Sequence, residues 1–298
     1  MILSPSRVCV LARQTFIQVL RMKVFYFLVV FAAIMLGMLW VDFGSVGKAQ
    51  DSEQSLRVMK GAAFFSMNVF AAVFAIAATA LLIPKDVEDR TLYTILCKPV
   101  TRLDYLLGRY FGVLAMLAIG LLCMDVLLSA ALWHTVEGML AEQLPAMQAL
   151  GFSQELIDER VTTLRQHGAG VGLQLGVLAV FLKAAVLAAV ALCLSTFSTS
   201  TLFTLLATLV VMVVGLMVDE ARGVMAEYAA HGRESRVLSV AHWVAYLFPD
   251  FKLMSLEDAT IQGRMLELGL ILRVCLVAAL HVSIALVLSW FIFRKKEV

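Results

Sequence analysis

The chain has 298 residues, 61% of them hydrophobic and 15% charged, with a formal net charge of +2 and a mean hydropathy of +0.91. That is too apolar for a soluble domain, and the positive excess is too small to suggest a nucleic-acid partner, so the composition is that of an integral membrane protein. Because backbone in lipid must satisfy its own polar groups, apolar runs of about 18 residues or more read as spanning helices.

In chain order, residues 5–22 gather Val8, Leu11, Ala12, Thr15, Phe16, Val19 and Leu20 on one face and turn Arg7, Arg13, Gln14, Gln18 and Arg21 away from it. This predicts an amphipathic helix on the inner membrane surface, either an elbow for a cytoplasmic partner or an anchor for the first span. Six spans follow, at about 24–41, 62–83, 110–133, 171–194, 201–218 and 270–293, within a single domain over 1–298. The first run is long and lacks a small-x-small cleavage pattern, so a cleavable signal is not expected.

Loops on one side of these spans carry twelve Lys and Arg in 60 residues, and those on the other carry ten in 108. The denser side should be cytoplasmic, with both termini inside, and the closing Arg294-Lys295-Lys296 agrees. All five cysteines then fall in cytoplasmic or spanning segments, so no external disulfide is expected.

The loop from Pro84 to Arg109 is compact and patterned. Pro84 is expected to mark a sharp membrane exit, and Asp86 to cap a short helix with Asp89 at its third position and Leu92, Ile95 and Leu96 on one face. Pro99 should end that helix near Cys97. Thr101-x-x-Asp104 restarts a second helix in the manner of a capping box, with Leu103, Leu106, Leu107 and Tyr110 on its stripe.

Two external regions remain. Residues 134–170 predict two short amphipathic helices broken near Pro145 and Gly151, with Ile157, Val161 and Leu164 on one stripe of the second. Residues 219–269 contain a 12-residue apolar run, Val237 to Phe248, closed by Pro249-Asp250-Phe251. A run that short cannot cross the bilayer, so an external re-entrant or interfacial helix is expected before span 6.

The spans contain Asp125 and Lys183, at axial levels about 6 Å apart for a rise of 1.5 Å per residue. Unpaired charges there are costly, so the two are expected to pair, with Arg273 as a rival partner for Asp125. Such a pair could line a polar path or simply staple two helices.

No nucleotide-binding P-loop occurs; Gly44-Ser45-Val46-Gly47-Lys48 is too short and lies in an external loop. No metalloprotease pair, nucleophile elbow or paired-cysteine metal spacing occurs either, and His134, His167, His231 and His242 are irregularly spaced. An enzyme is not expected, and this chain should bind no cofactor of its own.

Three stretches together resemble the membrane (permease) subunits of the ABC-2 type exporter family. The first runs from Ile83-Pro84-Lys85-Asp86-Val87-Glu88-Asp89-Arg90-Thr91-Leu92 through Lys98-Pro99-Val100-Thr101-Arg102 to Leu107-Gly108-Arg109-Tyr110-Phe111-Gly112. The others are the turn Ala191-Leu192-Cys193-Leu194-Ser195-Thr196-Phe197 and Leu247-Phe248-Pro249-Asp250-Phe251 before the last span. The resemblance implies an all-α, multi-pass protein of the cell membrane, most often a bacterial inner membrane. Its 84–109 loop would be a cytoplasmic coupling helix seated on a separate ABC ATP-binding subunit, which would hold ATP and Mg. Two permease copies, as a homo- or heterodimer, would form the pathway. Partner contacts are expected from Asp86, Glu88, Asp89, Arg90, Thr91, Leu92, Ile95, Leu96, Lys98, Pro99 and Arg102. Two rival readings use the same residues: a non-transporting scaffold that recruits a protein through this loop, and an ion-coupled secondary transporter using Asp125 and Lys183. The second usually shows internal repeats, and none is evident between the two three-span halves.

Overall fold

Five apolar helices, each longer than the expected span it contains, carry the structure. The computed structural model describes residues 4–22, 52–88, 100–166, 168–198, 200–230, 248–264 and 267–295, with single positions between 26 and 37. In chain order the helices are α1 (Pro5–Leu20), α2 (Ser52–Glu88), α3 (Arg102–Ala149), α4 (Gln154–Gln166), α5 (Val171–Phe197), α6 (Thr201–Ala230), α7 (Glu257–Ile261) and α8 (Leu268–Lys295). Among the described residues, five helical stretches, containing α2, α3, α5, α6 and α8, are long and apolar enough to cross a membrane. The architecture is that of a multi-pass, all-helical membrane protein. The expected first span, 24–41, lies almost wholly outside the described residues.

Pro145 was expected to break a helix and does not, and Pro84, expected to mark a membrane exit ahead of a new helix capped by Asp86, stands within one continuous helix. Pro84 lies inside α2 and Pro145 inside α3. Each removes one backbone donor, but both sit within a few residues of the helix C-terminus, where little of the hydrogen-bond ladder follows. Asp86 is therefore not an N-cap: it lies in the last turn of α2 and is buried. The chain turns after α3 at Leu150 and Gly151, whose φ is 76°. At 48 residues α3 is about 72 Å long, more than twice the roughly 30 Å apolar layer of a bilayer, so much of it stands outside that layer.

The Thr101–Asp104 capping box is present in both directions: the Asp104 amide donates to Thr101 Oγ1 at 3.0 Å and the Thr101 amide to Asp104 Oδ2 at 3.3 Å. At the opposite end of α3, α4 turns its expected stripe inward, burying Ile157 and Leu164. Arg160 of α4 pairs with Glu53 at the start of α2 at 3.0 Å, tying this small cap to the bundle. α2 and α5 occupy the centre, whereas α6 and α8 leave most of their apolar surface open.

α1 packs along the first turns of α3 and buries Leu11, Thr15 and Val19. Burying Leu11 and Val19 contributes about 1.5–3 kcal/mol each. The approach is close because α3 presents Gly108 and Gly112 there. A Cβ on Gly108 would lie 2.4 Å from Leu11 Cβ, and one on Gly112 would lie 2.5 Å from Thr15 Cβ and 2.7 Å from the Ala12 carbonyl. Backbone as well as side chain stands in the way, so a larger residue has to push α1 off. Gly112→Leu is expected to destabilise the chain by at least about 1–3 kcal/mol, read as a lower melting temperature of the purified protein in detergent. An unchanged melting temperature would show that α1 is not held against α3.

Candidate functional site

An ammonium placed in the middle of an apolar helix must find a counter-charge or give up its proton. Lys183 is twelve residues into α5, about 18 Å from its start. It meets Glu257, the first residue of α7, with Nζ 2.5 Å from Oε1. Asn68 of α2 donates to the same oxygen at 3.0 Å, and Ser255 hydrogen-bonds the other. Glu257 is thus saturated by one cation and two neutral donors from three parts of the chain.

The segment that delivers Glu257 is anchored by Pro249-Asp250-Phe251. The Phe251 amide donates to the Gly215 carbonyl of α6 at 3.2 Å. A Cβ on Gly215 would sit 2.5 Å from the Pro249 carbonyl and 2.7 Å from the Phe251 ring, so only glycine lets the segment lie this close. Asp250 is buried; it pairs with Arg222 at 2.8 Å and accepts from the Leu253 amide at 2.9 Å, which sets the turn. The 237–247 part of the expected apolar run lies outside the described residues.

Between this segment and α2, α5 and α6 lies a cavity of about 380 Å3. Phe65, Ala72, Val180 and Met212 are among its apolar walls, while Asn68, Lys183, Ser255 and Glu257 form one polar wall. Lys252 is at the rim, half exposed, 3.2 Å from Asp219 of α6. The hydrogen bond and charge of Asp219 raise its pKa, so it stays cationic. Such a chamber admits water or an amphiphile to a charged pair deep within apolar helices.

The expected pairing of Asp125 with Lys183 is not formed. Asp125 is buried on α3 and accepts from Gln174 of α5 at 3.3 Å. Gln174 and Lys183 are nine residues apart, about two and a half turns, and so lie on opposite faces of α5. Axial level alone made the pair look reachable; angular position rules it out. Arg273 is exposed on α8 and pairs with neither, having no ion-pair partner among the described residues.

At the other end of the bundle a second buried network links three helices. Arg109 of α3 pairs with Asp86 of α2, with both side chains almost fully buried. Its other amino group donates to Gln18 at 2.5 Å and Thr15 at 3.2 Å on α1. The Tyr105 hydroxyl donates to Asp86 at 2.5 Å, and the Arg109 guanidinium lies 5.4 Å from the Tyr105 ring centroid. Arg102 donates to the Phe293 and Arg294 carbonyls at 2.6 and 2.9 Å, capping the end of α8.

Asp86 and Arg102 were expected to touch a partner protein, and the structure turns both inward onto their own chain. Burial is the reason: a carboxylate at 3% exposure cannot leave an arginine for a partner without leaving both charges unpaired. Asp89, Arg90, Thr91, Leu92, Ile95, Leu96, Lys98 and Pro99 lie outside the described residues, as does the side chain of Glu88.

The sequence reading missed Glu257, Asn68, Arg109 and Tyr105. Arg109 carried a readable signal, since Leu106, Arg109, Tyr110 and Val113 share one helical stripe, and a cation within an apolar stripe needs a partner. Glu257 carried none, because nothing local marks which acid of a loop will fold back onto a helix.

No protein-family model matches the chain, and no curated protein matches it in sequence.

Removing one member of the Lys183–Glu257 pair leaves the other charge buried and alone, at a cost of about 3–5 kcal/mol. Lys183→Glu should therefore lower folded yield sharply, and adding Glu257→Lys should restore part of it. Asp125→Lys should not rescue Lys183→Glu. Rescue by Asp125→Lys instead would contradict the pairing.

Proposed function

We propose that this chain is the permease subunit of an ATP-driven exporter of the ABC-2 type, forming a substrate pathway and coupled through its 84–109 loop to a separate ATP-binding subunit. The observation that carries the transport part is the Lys183–Glu257 pair on the wall of a cavity among long apolar helices. A scaffold has no use for a charged chamber there, and charges inside membrane helices usually mark a pathway. The ATP-coupled part rests on the resemblance of residues 83–112, since the chain has no nucleotide-binding loop.

In this reading the chain spans the inner membrane of a bacterium six times, the first crossing being 24–41. Both termini and the end carrying Asp86 and Arg102 face the cytoplasm. Residues 249–261 form a re-entrant element that enters from the outside as far as Lys183. Leu92, Ile95 and Leu96 seat in a groove of the ATP-binding subunit, with Asp89, Arg90 and Lys98 making polar contacts, while ATP and Mg stay on that partner. The Arg109 network makes α1, the end of α2 and the start of α3 one unit, so a push on the loop moves them together. The open apolar faces of α6 and α8 meet lipid or a second permease copy. An ion-coupled carrier is the other reading that the Lys183–Glu257 chamber supports, and it requires no ATPase.

Purification of the tagged chain from its native membrane distinguishes the two. An ATP-binding subunit is expected to copurify and to be lost on Leu92→Asp with Leu96→Asp, while the permease itself remains folded. If no ATPase accompanies the chain, or the double change leaves it bound, the coupling assignment fails and the ion-coupled reading replaces it.

A further inference from the structure

At the end of the bundle away from the 84–109 loop, a second cavity of about 370 Å3 lies between α2, the turn joining α4 to α5, and α7. Lys60, Arg165 and Arg264 line it, and among the described residues no acidic side chain does. Lys60 is 2% exposed and has no hydrogen-bond or ion-pair partner among the described residues. Glu53, two turns earlier on α2, is already engaged by Arg57 at 3.6 Å and Arg160 at 3.0 Å. A buried ammonium with nothing to neutralise it is expensive, and an anion entering the cavity would remove that cost.

A separate feature points the same way. α5 opens into this cavity, and its N-cap, Gly170, supplies no side-chain hydrogen bond. The Leu173 amide donates to the Gly170 carbonyl at 3.0 Å, while the Val171 and Gly172 amides make no backbone hydrogen bond among the described residues and are left to a ligand, at the end where the dipole of this 27-residue helix favours negative charge. Arg165 and Arg264 are exposed at the rim, and neither is ion-paired among the described residues. Lys60 and Val171 each stand at one end of an apolar run, the level at which lipid headgroups meet a spanning helix.

We propose that this cavity binds a phosphate-bearing anion, either the headgroup of an anionic lipid or free phosphate. Lys60 is the buried counter-charge, Arg165 and Arg264 grip from the rim, and the Val171 and Gly172 amides at the α5 N-terminus donate to the phosphate oxygens. The site needs only that the chain lies in a bilayer and does not depend on the exporter reading. It stands about one helical turn from Glu257, since Thr260 of α7 lines it and donates to the Gly172 carbonyl at 3.1 Å.

The test uses the full chain in nanodiscs of phosphatidylcholine, with and without phosphatidylglycerol. Inorganic phosphate binding is measured by equilibrium dialysis, and retained lipid by mass spectrometry of the purified protein. At least one probe should bind saturably, and Arg165→Gln with Arg264→Gln, both exposed positions, should weaken it about tenfold or more, as should Lys60→Met. Phosphate binding without a preference for phosphatidylglycerol assigns a free anion; phosphatidylglycerol retained against phosphate assigns a headgroup. Lys60→Met should also keep or raise the melting temperature, because it removes an unpaired buried charge. The proposal is overturned if neither probe binds above the phosphatidylcholine background, or if the variants bind as the wild type does. A marked fall in melting temperature in Lys60→Met would also overturn it, by showing that Lys60 already has a partner within the protein.

Discussion

One ammonium about 18 Å along an apolar helix constrains everything around it. Lys183 cannot face lipid, and α3 offers it nothing, since Asp125 stands on the other side of α5. The counter-charge is brought by a separate piece of chain, and the packing follows from that need. Pro249 to Phe251 lie against α6 where Gly215 leaves room, Asp250 is fixed by Arg222, and Glu257 arrives beside Asn68. The cavity is the space left between that segment and α2, α5 and α6 beside these contacts.

The end bearing the 84–109 loop is built on the opposite principle. Arg109 is surrounded by Asp86, Tyr105, Thr15 and Gln18, and Gly108 and Gly112 bring α1 into backbone contact. A dense joint at one end and a polar chamber towards the other suit a molecule that moves as rigid parts. Buried ion pairs add little net stability, but they penalise any arrangement that separates them. The Arg109 network therefore specifies one relation of α1, α2 and α3.

Much of this was legible in the amino-acid sequence where the signal is local. Apolar runs marked five helices that the structure contains, the Thr101–Asp104 box marked the start of α3, and the Ile157–Leu164 stripe marked the buried face of α4. What escaped depends on rotation about helix axes or on distant partners. Asp125 and Lys183 were matched by depth along the membrane, although the nine residues between Gln174 and Lys183 turn them to opposite faces. Pro84 was read as a membrane exit and Pro145 as a break, and both lie inside helices close to their ends, where the cost of proline is smallest. Asp86 was expected to cap a helix and, by resemblance, to touch a partner subunit. Its partner Arg109 is 23 residues away, and only the fold shows that the two meet.

The central claim is that Lys183 and Glu257 hold a polar chamber, open to water, inside the helical bundle. Ser255 lines that chamber and hydrogen-bonds Glu257. The direct measurement is the reaction of Ser255→Cys, in a cysteine-free chain in nanodiscs, with a charged, water-soluble thiol reagent that reaches both faces of the bilayer, against Ala189→Cys in the packed core of α5 as the protected reference. The account predicts that position 255 reacts and position 189 does not. Protection of both positions would contradict it, because the segment would then be dry and the charged pair only a staple between helices.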